Sequence, residues 1–245
     1  MRTSFLLLLL TFITACSQVT SETDSEVRYL TVLHTNDNHG RFWHNEHGEY
    51  GMAARKTLID QLRDEAKAQG HSVLLLSGGD INTGIPESDL QLAEPDFKGM
   101  SEIGYDAMAI GNHEFDNPLK VLDTQQEWAN FPFLSANIFD KTTNKPSYQQ
   151  YKIFEKDGLT IAVVGFTTTD TAKIANPQYV GSLEFKKPTT VAASLLPEIQ
   201  QQHNPDITIA VTHMGHYVDS NFGINAPGDV TLARSLPKGM LDIVV

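Results

Sequence analysis

Acidic, imidazole and amide side chains recur just after four apolar runs of this chain. Asp37 and His39 lie two positions apart, so both side chains can point the same way in an extended turn. Carboxylates, imidazoles and an amide oxygen form a donor set that suits Mg²⁺, Mn²⁺ or Zn²⁺. One aspartate that bridged two such ions would hold them about 3.5–4 Å apart, the arrangement of two-metal phosphoryl chemistry. The candidate residues are Asp37, His39, Asp80, Asn112, His113, Asp116 and His213.

Apolar runs and helical patterns alternate along the chain and must position these residues. Strands are predicted at 30–33, 73–76, 107–110, 133–134, 151–154, 160–164, 207–211 and 241–245. Helices are predicted over 52–68, 119–129 and 191–202, with a kink or break expected at Pro197. Continuous apolar strands separated by helices indicate an α/β fold whose sheet is covered on both faces. Ligands bind at the carboxyl ends of strands in such sheets, which is where the candidate residues fall.

Length and composition limit the classes of function. The chain has 245 residues, of which 20% are charged and 40% hydrophobic, as in an ordinary globular protein. Its net charge of −12 argues against binding to nucleic-acid polymers, which requires a basic surface. A phosphate substrate stays open, because bound cations can supply positive charge. The single Cys of the chain excludes an internal disulfide and a cysteine-based zinc or iron–sulfur site.

The first residues have the pattern of an export signal. A short basic opening precedes an apolar run over residues 5–15, which is too short for a bilayer that takes about 20 residues. The segment that ends in Cys16 resembles the bacterial lipobox, in which the cysteine is lipidated; the alternative is a plain signal peptide with an incidental cysteine. We therefore expect a signal peptide at 1–15, then a lipidated Cys16 with a flexible tether to residue 28. The protein is expected to be exported and anchored in the bacterial envelope, with Ser17 favouring the outer membrane.

The order of four motifs resembles a known superfamily. The motifs are Asp37-x-His39, Gly78-Gly79-Asp80, Gly111-Asn112-His113-Glu114 and Thr212-His213-Met214-Gly215-His216. Their series resembles the calcineurin-like metallophosphoesterase superfamily and, more narrowly, the bacterial 5′-nucleotidase/UDP-sugar hydrolase family with its lipoprotein members. The resemblance covers residues 28–245. It implies a four-layer sandwich of two mixed β-sheets flanked by helices, over a catalytic domain of residues 29–245.

The resemblance also implies roles for the candidate residues. Asp37 and His39 would bind the first divalent metal, and Asp80 would bridge both metals. Asn112 and His213 would bind the second. His113 would stabilise the transition state and Asp116 would orient His113. A hydroxide held between the metals would attack phosphorus in line, and the family resemblance adds a possible chloride.

The number of ligands is small. Each metal would have three protein ligands, the minimum for an open site. Val245 ends an apolar strand with no polar turn after it. In the family resembled, a Gly-Gly-His segment follows with further ligands, and then a domain that binds the nucleotide. We therefore interpret the chain as the N-terminal part of the family's architecture, with substrate-binding residues expected beyond Val245.

Three functions stay open on the sequence alone. The first is metal-dependent hydrolysis of 5′-nucleotides, and of UDP-sugars as a further substrate. The second is a cyclic-nucleotide phosphodiesterase of the same superfamily, and the third is an inactive lipoprotein that binds metal or nucleotide. No obligate protein partner is inferred.

Other polar and aromatic residues near the motifs have plainer interpretations. Glu114 is expected to be structural and His34 to be packed at a strand end. His216 could support His213 or face solvent. Phe42 and Trp43 could cover the metals or simply pack.

Overall fold

The computed structural model describes residues 27–49, 51–217 and 227–245. Within these ranges, ten strands cover Leu30–Thr35 (β1), Ser72–Ser77 (β2), Ala107–Ala109 (β3), Phe133–Leu134 (β4), Ile138–Asp140 (β5), Tyr151–Lys156 (β6), Leu159–Thr167 (β7), Leu183–Phe185 (β8), Ile207–His213 (β9) and Ile243–Val244 (β10). The helices are Met52–Ala68 (α1), Pro86–Asp89 (α2), Glu94–Ile103 (α3), Leu119–Trp128 (α4), Thr171–Ile174 (α5), Pro177–Val180 (α6), Pro188–His203 (α7) and Asp229–Ser235 (α8). A 3₁₀ turn covers His113–Phe115.

The first sheet is parallel throughout. Its order is β1-β2-β3-β4, so neighbours in space are also consecutive in sequence. Parallel neighbours need a crossover connection, and here helices α1, α3 and α4 lie in the connections. All four strands therefore deliver their carboxyl ends to the same edge.

The second sheet is mixed. Its order is β10-β9-β7-β6, with β6 antiparallel to β7 and the other neighbours parallel. A tight turn at Asp157-Gly158 joins β6 to β7 as a hairpin. Strands β5 and β8 form a separate antiparallel pair. The register places Thr167 opposite His213, so β7 and β9 end together.

Four layers follow from the three apolar clusters. Side chains of β2, β3 and β4 meet those of β7 and β9 between the two sheets, with Leu74, Leu76, Val163 and Ile209 fully buried. On the outer side of the first sheet lie α1, α3 and α4. Helices α7 and α8 cover the outer side of the second sheet. Because each central strand is covered on both sides, it reads as a continuous apolar run, which is what made the strands predictable. The expected α/β sandwich is confirmed.

Helix α7 differs from its prediction. It begins at Pro188, three residues before the predicted start, and it continues through Pro197. The expected break was wrong because Pro197 lies on the exposed face of the helix, as does Ala193 one turn earlier. Because proline has no backbone N–H, the Ala193 carbonyl has no donor within the helix, but its exposed position lets it bond to water. The apolar stripe of α7 is unaffected and stays buried.

The predictions for the leader concern residues outside the described ranges. The predicted signal peptide, Cys16 and most of the tether lie within residues 1–26. Among the residues that the structure describes, no helix combines the length and the apolar character that a membrane crossing requires.

Candidate metal centre

Two clusters of possible ligands lie at the edge where both sheets end. One consists of Asp37, Asp80 and His213, and the other of His39, Asp80 and His113. Within each cluster the potential ligand atoms all lie within 4.8 Å of one another. Asp80 belongs to both, which is the position that a bridging ligand requires. Asn112 lies beside the first cluster, on the wall of a cavity of about 510 Å³ shared with Asp37 and His213.

Backbone pairing brings the first two motifs together. Beyond the end of β1, the chain continues to bond to the segment that follows β2: Asp37 N–H donates to the Gly79 carbonyl, and His39 N–H to the Asp80 carbonyl, each at 3.1 Å. Asn38 between them is buried, and its amide donates to Asp96 of α3 at 2.7 Å. The Arg55 guanidinium of α1 donates to the same amide's oxygen at 2.6 Å. The turn that carries Asp37 and His39 is thus fixed to two helices.

Oxygen acceptors fix one nitrogen of each imidazole. The Nδ1–H of His39 donates to the Thr83 carbonyl at 2.9 Å, and that of His213 donates to the Gly78 carbonyl at 2.8 Å. His113 Nδ1 lies 2.6 Å from the Asp116 carboxylate. A carbonyl can only accept, so the proton of His39 and of His213 is on Nδ1 and Nε2 is left toward the centre. This is the tautomer with which a histidine binds a metal through Nε2.

Asp80 is buried and surrounded by donors. One carboxylate oxygen accepts from the His113 backbone N–H at 2.9 Å, and the other lies 3.0 Å from His213 Nε2. Burial opposes ionisation of Asp80, but its bonds to His213 and His113 lower its pKa below the usual value. For His213 burial acts against protonation, yet Asp80 and the Gly78 carbonyl raise the pKa of its imidazole to about 9. Without metal, the two side chains form an ion pair at neutral pH.

Glycine at position 111 leaves room for the Asp80 carboxylate. A Cβ at Gly111 would lie 2.1 Å from Asp80 Oδ1 and 2.7 Å from the Asp80 backbone nitrogen. Such contacts are far inside van der Waals distance. The glycine that opens the Gly-Asn-His-Glu motif is therefore explained by Asp80 and not by its own backbone angle.

Glu114 is fully buried and holds two loops together. Its carboxylate accepts four backbone N–H groups, from Gly111 at 2.7 Å, Ile81 at 2.8 Å, Asp80 at 3.0 Å and Asn82 at 3.3 Å. Burial and the charge of Asp80 raise the pKa of Glu114, and the N–H groups oppose that rise. Glu114 thus joins the turn after β3 to the turn after β2.

The backbone is strained at this centre. Asp37, His39, Asp80 and Thr83 have φ values of 52°, 48°, 54° and 52° in the left-handed region. Residues other than glycine rarely adopt this region, and a β-branched residue such as threonine is an outlier there. Strain of this kind persists where the surroundings over-determine it, as the bonds to Glu114 and between the turns do here.

His113 and Asp116 lie side by side. Burial lowers the pKa of His113, but the hydrogen bond to Asp116 and the charge of Asp80 together raise it above the usual value. The His113 ring packs edge-on against that of His39, with centroids 4.8 Å apart. The geometry alone places His113 close enough to be a metal ligand, so its assigned role outside the ligand set stays a prediction.

The remaining interpretations have mixed outcomes. His34 is exposed and bonded to Asn36, so the expectation that it packs was wrong; it lies on an edge strand and lines the cavity with His216, which is also exposed. Phe42 packs on the outer helices, and the exposed Trp43 lines a separate groove with it, away from the centre.

Thr83 and Asp96 were missed by the sequence analysis. Neither belongs to a motif, and their contacts join elements that are far apart in sequence. The short polar segment Asn82-Thr83-Gly84 after Asp80 is the one signal that could have drawn attention to Thr83.

A four-layer sandwich with carboxylates and imidazoles where its two sheets end defines the metallophosphoesterase architecture. A family model described as calcineurin-like phosphoesterase matches residues 30–245, so the chain belongs to that family.

Similar proteins carry nucleotidase names. The chain is 66% identical over 230 residues to a 5′-nucleotidase of Vibrio parahaemolyticus, covering 94% of this chain and 41% of the relative. It is 58% identical over 240 residues to protein UshA of Escherichia coli, covering 98% of this chain and 44% of that protein. The solved structure of a 5′-nucleotidase precursor from Thermus thermophilus is 28% identical with a TM-score of 0.65, covering 75% of this chain and 37% of that one. The chain spans about two fifths of the length of these curated relatives.

Proposed function

We propose that this chain is the catalytic part of a metal-dependent hydrolase that releases phosphate from 5′-nucleotides. The observation that carries the proposal is the shared carboxylate: Asp80 lies in both ligand clusters, one of which includes His113. The relatives named 5′-nucleotidase support the choice of substrate. UDP-sugars are a second substrate that the family resemblance supports.

The donor set fits two divalent cations. The family resemblance assigns Asp37 and His39 to the first, Asn112 and His213 to the second, and Asp80 to both. His39 Nε2 lies 3.7 Å from Asp37 Oδ1, although the two clusters group Asp37 with His213 and His39 with His113. Two carboxylates, two imidazoles with Nε2 left toward the centre, and one amide match the preferences of Mg²⁺, Mn²⁺ and Zn²⁺. When bound, the ions would supply Lewis acidity toward phosphoryl oxygens and lower the pKa of water.

His113 would act on the substrate directly. Its Nδ1 is bonded to Asp116, which leaves Nε2 as the nitrogen available to a phosphoryl or leaving-group oxygen. Asp116 would help to orient the ring and would stabilise its positive charge. A fixed donor aimed at developing negative charge contributes to the rate because it requires no rearrangement during the reaction.

Phosphate release from AMP tests the proposal. The complete protein, loaded with Mn²⁺ or Mg²⁺, should release phosphate, lose activity with a chelator and regain it with metal. His113→Ala should lower kcat about 10²–10³-fold, with the metal content unchanged.

Three outcomes would count against these assignments. Hydrolysis of cyclic AMP but not of AMP would favour the phosphodiesterase. Metal binding with no hydrolysis of either would favour an inactive binding protein. A metal equivalent lost in His113→Ala would make His113 a ligand.

The leader supports a proposal on location. We infer that the protein is exported and anchored to the outer membrane by lipid on Cys16, because an apolar run too short to span a bilayer ends at a lipobox-like cysteine.

A further inference from the structure

The Thr83 hydroxyl closes a triangle with His113 and Asp116. Its oxygen lies 3.0 Å from His113 Nδ1, and its O–H donates to the Asp116 oxygen that also accepts from His113. The Nδ1–H of His113 is therefore shared between a carboxylate and a hydroxyl oxygen. Two contacts at different angles fix the plane of the ring, whereas Asp116 alone would leave it free to rotate about one bond.

The Thr83 backbone positions a second imidazole. The carbonyl of Thr83 accepts from His39 Nδ1 at 2.9 Å. The rings of His39 and His113 meet edge-on, and Thr83 contacts Nδ1 of both rings. Thr83 thus spans the two functions assigned to the centre, metal binding and action on the substrate.

The backbone conformation at position 83 is unfavourable for threonine. Its φ of 52° suits glycine or asparagine, and the following Gly84 has φ of 148°. The segment is nevertheless held on both sides: Glu114 binds Asn82 N–H, and Asp89 accepts from Gly84 N–H at 3.2 Å. A β-branched side chain in this conformation indicates that the hydroxyl is needed there.

We propose that Thr83 is a positioning residue, whose hydroxyl orients the His113–Asp116 pair while its carbonyl orients His39. This inference rests on the proposed phosphate-releasing function. The Thr83 side chain would then serve the action of His113 on the substrate, and the Thr83 backbone would serve metal binding by His39. Removing the hydroxyl should therefore affect the first and spare the second.

Three variants of the complete, metal-loaded protein test this assignment. Thr83→Val keeps the branched shape and removes the hydroxyl, and Thr83→Ser restores the hydroxyl. Thr124→Val is the matched control, because Thr124 on α4 is half-buried like Thr83 and its hydroxyl donates to the Lys120 carbonyl of its own helix. Thr83→Val should lower kcat for AMP about 10–100-fold, with KM within about twofold and both metals retained. Thr83→Ser should recover most of kcat, and Thr124→Val should match the unaltered protein.

A measurement independent of activity separates this inference from the proposed function. In ¹⁵N-imidazole spectra of the protein loaded with diamagnetic Mg²⁺, His113 should give one sharp set of signals in the unaltered protein and in Thr83→Ser, and broadened or doubled signals in Thr83→Val. Unchanged kcat and unchanged His113 signals in Thr83→Val would overturn the inference, as would equal losses in the valine and serine variants. Loss of metal from Thr83→Val would place its role in the metal step instead. If the unaltered protein releases no phosphate, the proposed function fails, and the spectra still decide whether the Thr83 hydroxyl orients His113.

Discussion

The histidines of this centre are oriented before any ligand arrives. Each has Nδ1 bonded to a protein oxygen: the Thr83 carbonyl for His39, the Gly78 carbonyl for His213 and the Asp116 carboxylate for His113. Ring orientation is therefore set by the fold, and a cation does not have to select it from several rotamers. Removing a group that hydrogen-bonds to a metal-binding side chain typically lowers metal affinity or activity about 10–100-fold.

The shared position of Asp80 predicts an unequal effect of two similar substitutions. Asp80→Ala should abolish binding of both metals, since Asp80 belongs to both clusters, whereas Asp37→Ala should weaken mainly one. Elemental analysis after dialysis would give the stoichiometry of each variant. Equal losses in the two variants would contradict the bridging role.

Metal uptake should release a proton from His213. Because its pKa is raised to about 9 in the metal-free protein, this imidazole is protonated at pH 7 and must lose a proton to bind a metal. Apparent metal affinity should therefore rise between pH 6.5 and 9 and level off above that range. Titration calorimetry in buffers of different ionisation enthalpy would count the protons, and an affinity independent of pH over this range would contradict the prediction.

At the scale of elements, most side chains of the metal centre lie in the turns that follow the strands and not in the strands themselves. The turn after β2 carries Asp80 and Thr83, the turn after β3 carries His113, and Glu114 bonds one to the other. A second buried contact, between Asn82 and Gln125 of α4 at 2.8 Å, fixes the first turn from behind. Loss of a backbone contact between these turns should therefore displace ligands without unfolding the sheets.

Gly111→Ala tests that dependence. The new Cβ would displace Asp80, so metal content should fall and kcat should drop at least tenfold, while stability falls by about 1–3 kcal/mol. Gly70→Ala is the matched control: its Cβ would meet nothing within 4 Å, but its φ of +74° makes alanine cost about 1–2 kcal/mol. Urea unfolding and elemental analysis on both variants would separate the effects. Full metal content in Gly111→Ala would show that Asp80 tolerates the displacement.

Eight of the ten described strands and the candidate ligands could be predicted from the sequence, but the β5–β8 pair and the contacts behind the ligands could not. Buried parallel strands read as apolar runs, and donor residues follow them at once, so both were visible in local patterns. Thr83 and Asp96 act across 30 or more positions, on His113 at 30 and on Asn38 at 58, where no local pattern points. The break predicted at Pro197 was wrong because the effect of a proline depends on which face of α7 it occupies, and that face is set by tertiary packing.

At the scale of the whole molecule, the leader predicts attachment to a membrane. Cys16→Ser should move the protein from the detergent phase to the aqueous phase in a Triton X-114 partition, because several acyl chains on one cysteine anchor stably. Labelled fatty acid should enter the unaltered protein and not the variant. Aqueous partitioning of the unaltered protein would favour the plain signal peptide with an incidental cysteine.

The two sheets occupy separate stretches of the chain, and this has a consequence for how the molecule is made. The first sheet lies within Leu30–Leu134 and the second within Tyr151–Val244, while the hydrogen bond from His213 to Gly78 joins residues 135 positions apart. A cation bound by Asp80 and His213 together can be captured only once the two halves have docked. By mass action, metal at about 100 times its Kd would favour the docked state by about 2.7 kcal/mol. Metal scarcity would therefore raise the fraction of molecules in which the two halves separate again and the inner faces of both sheets are open to proteases.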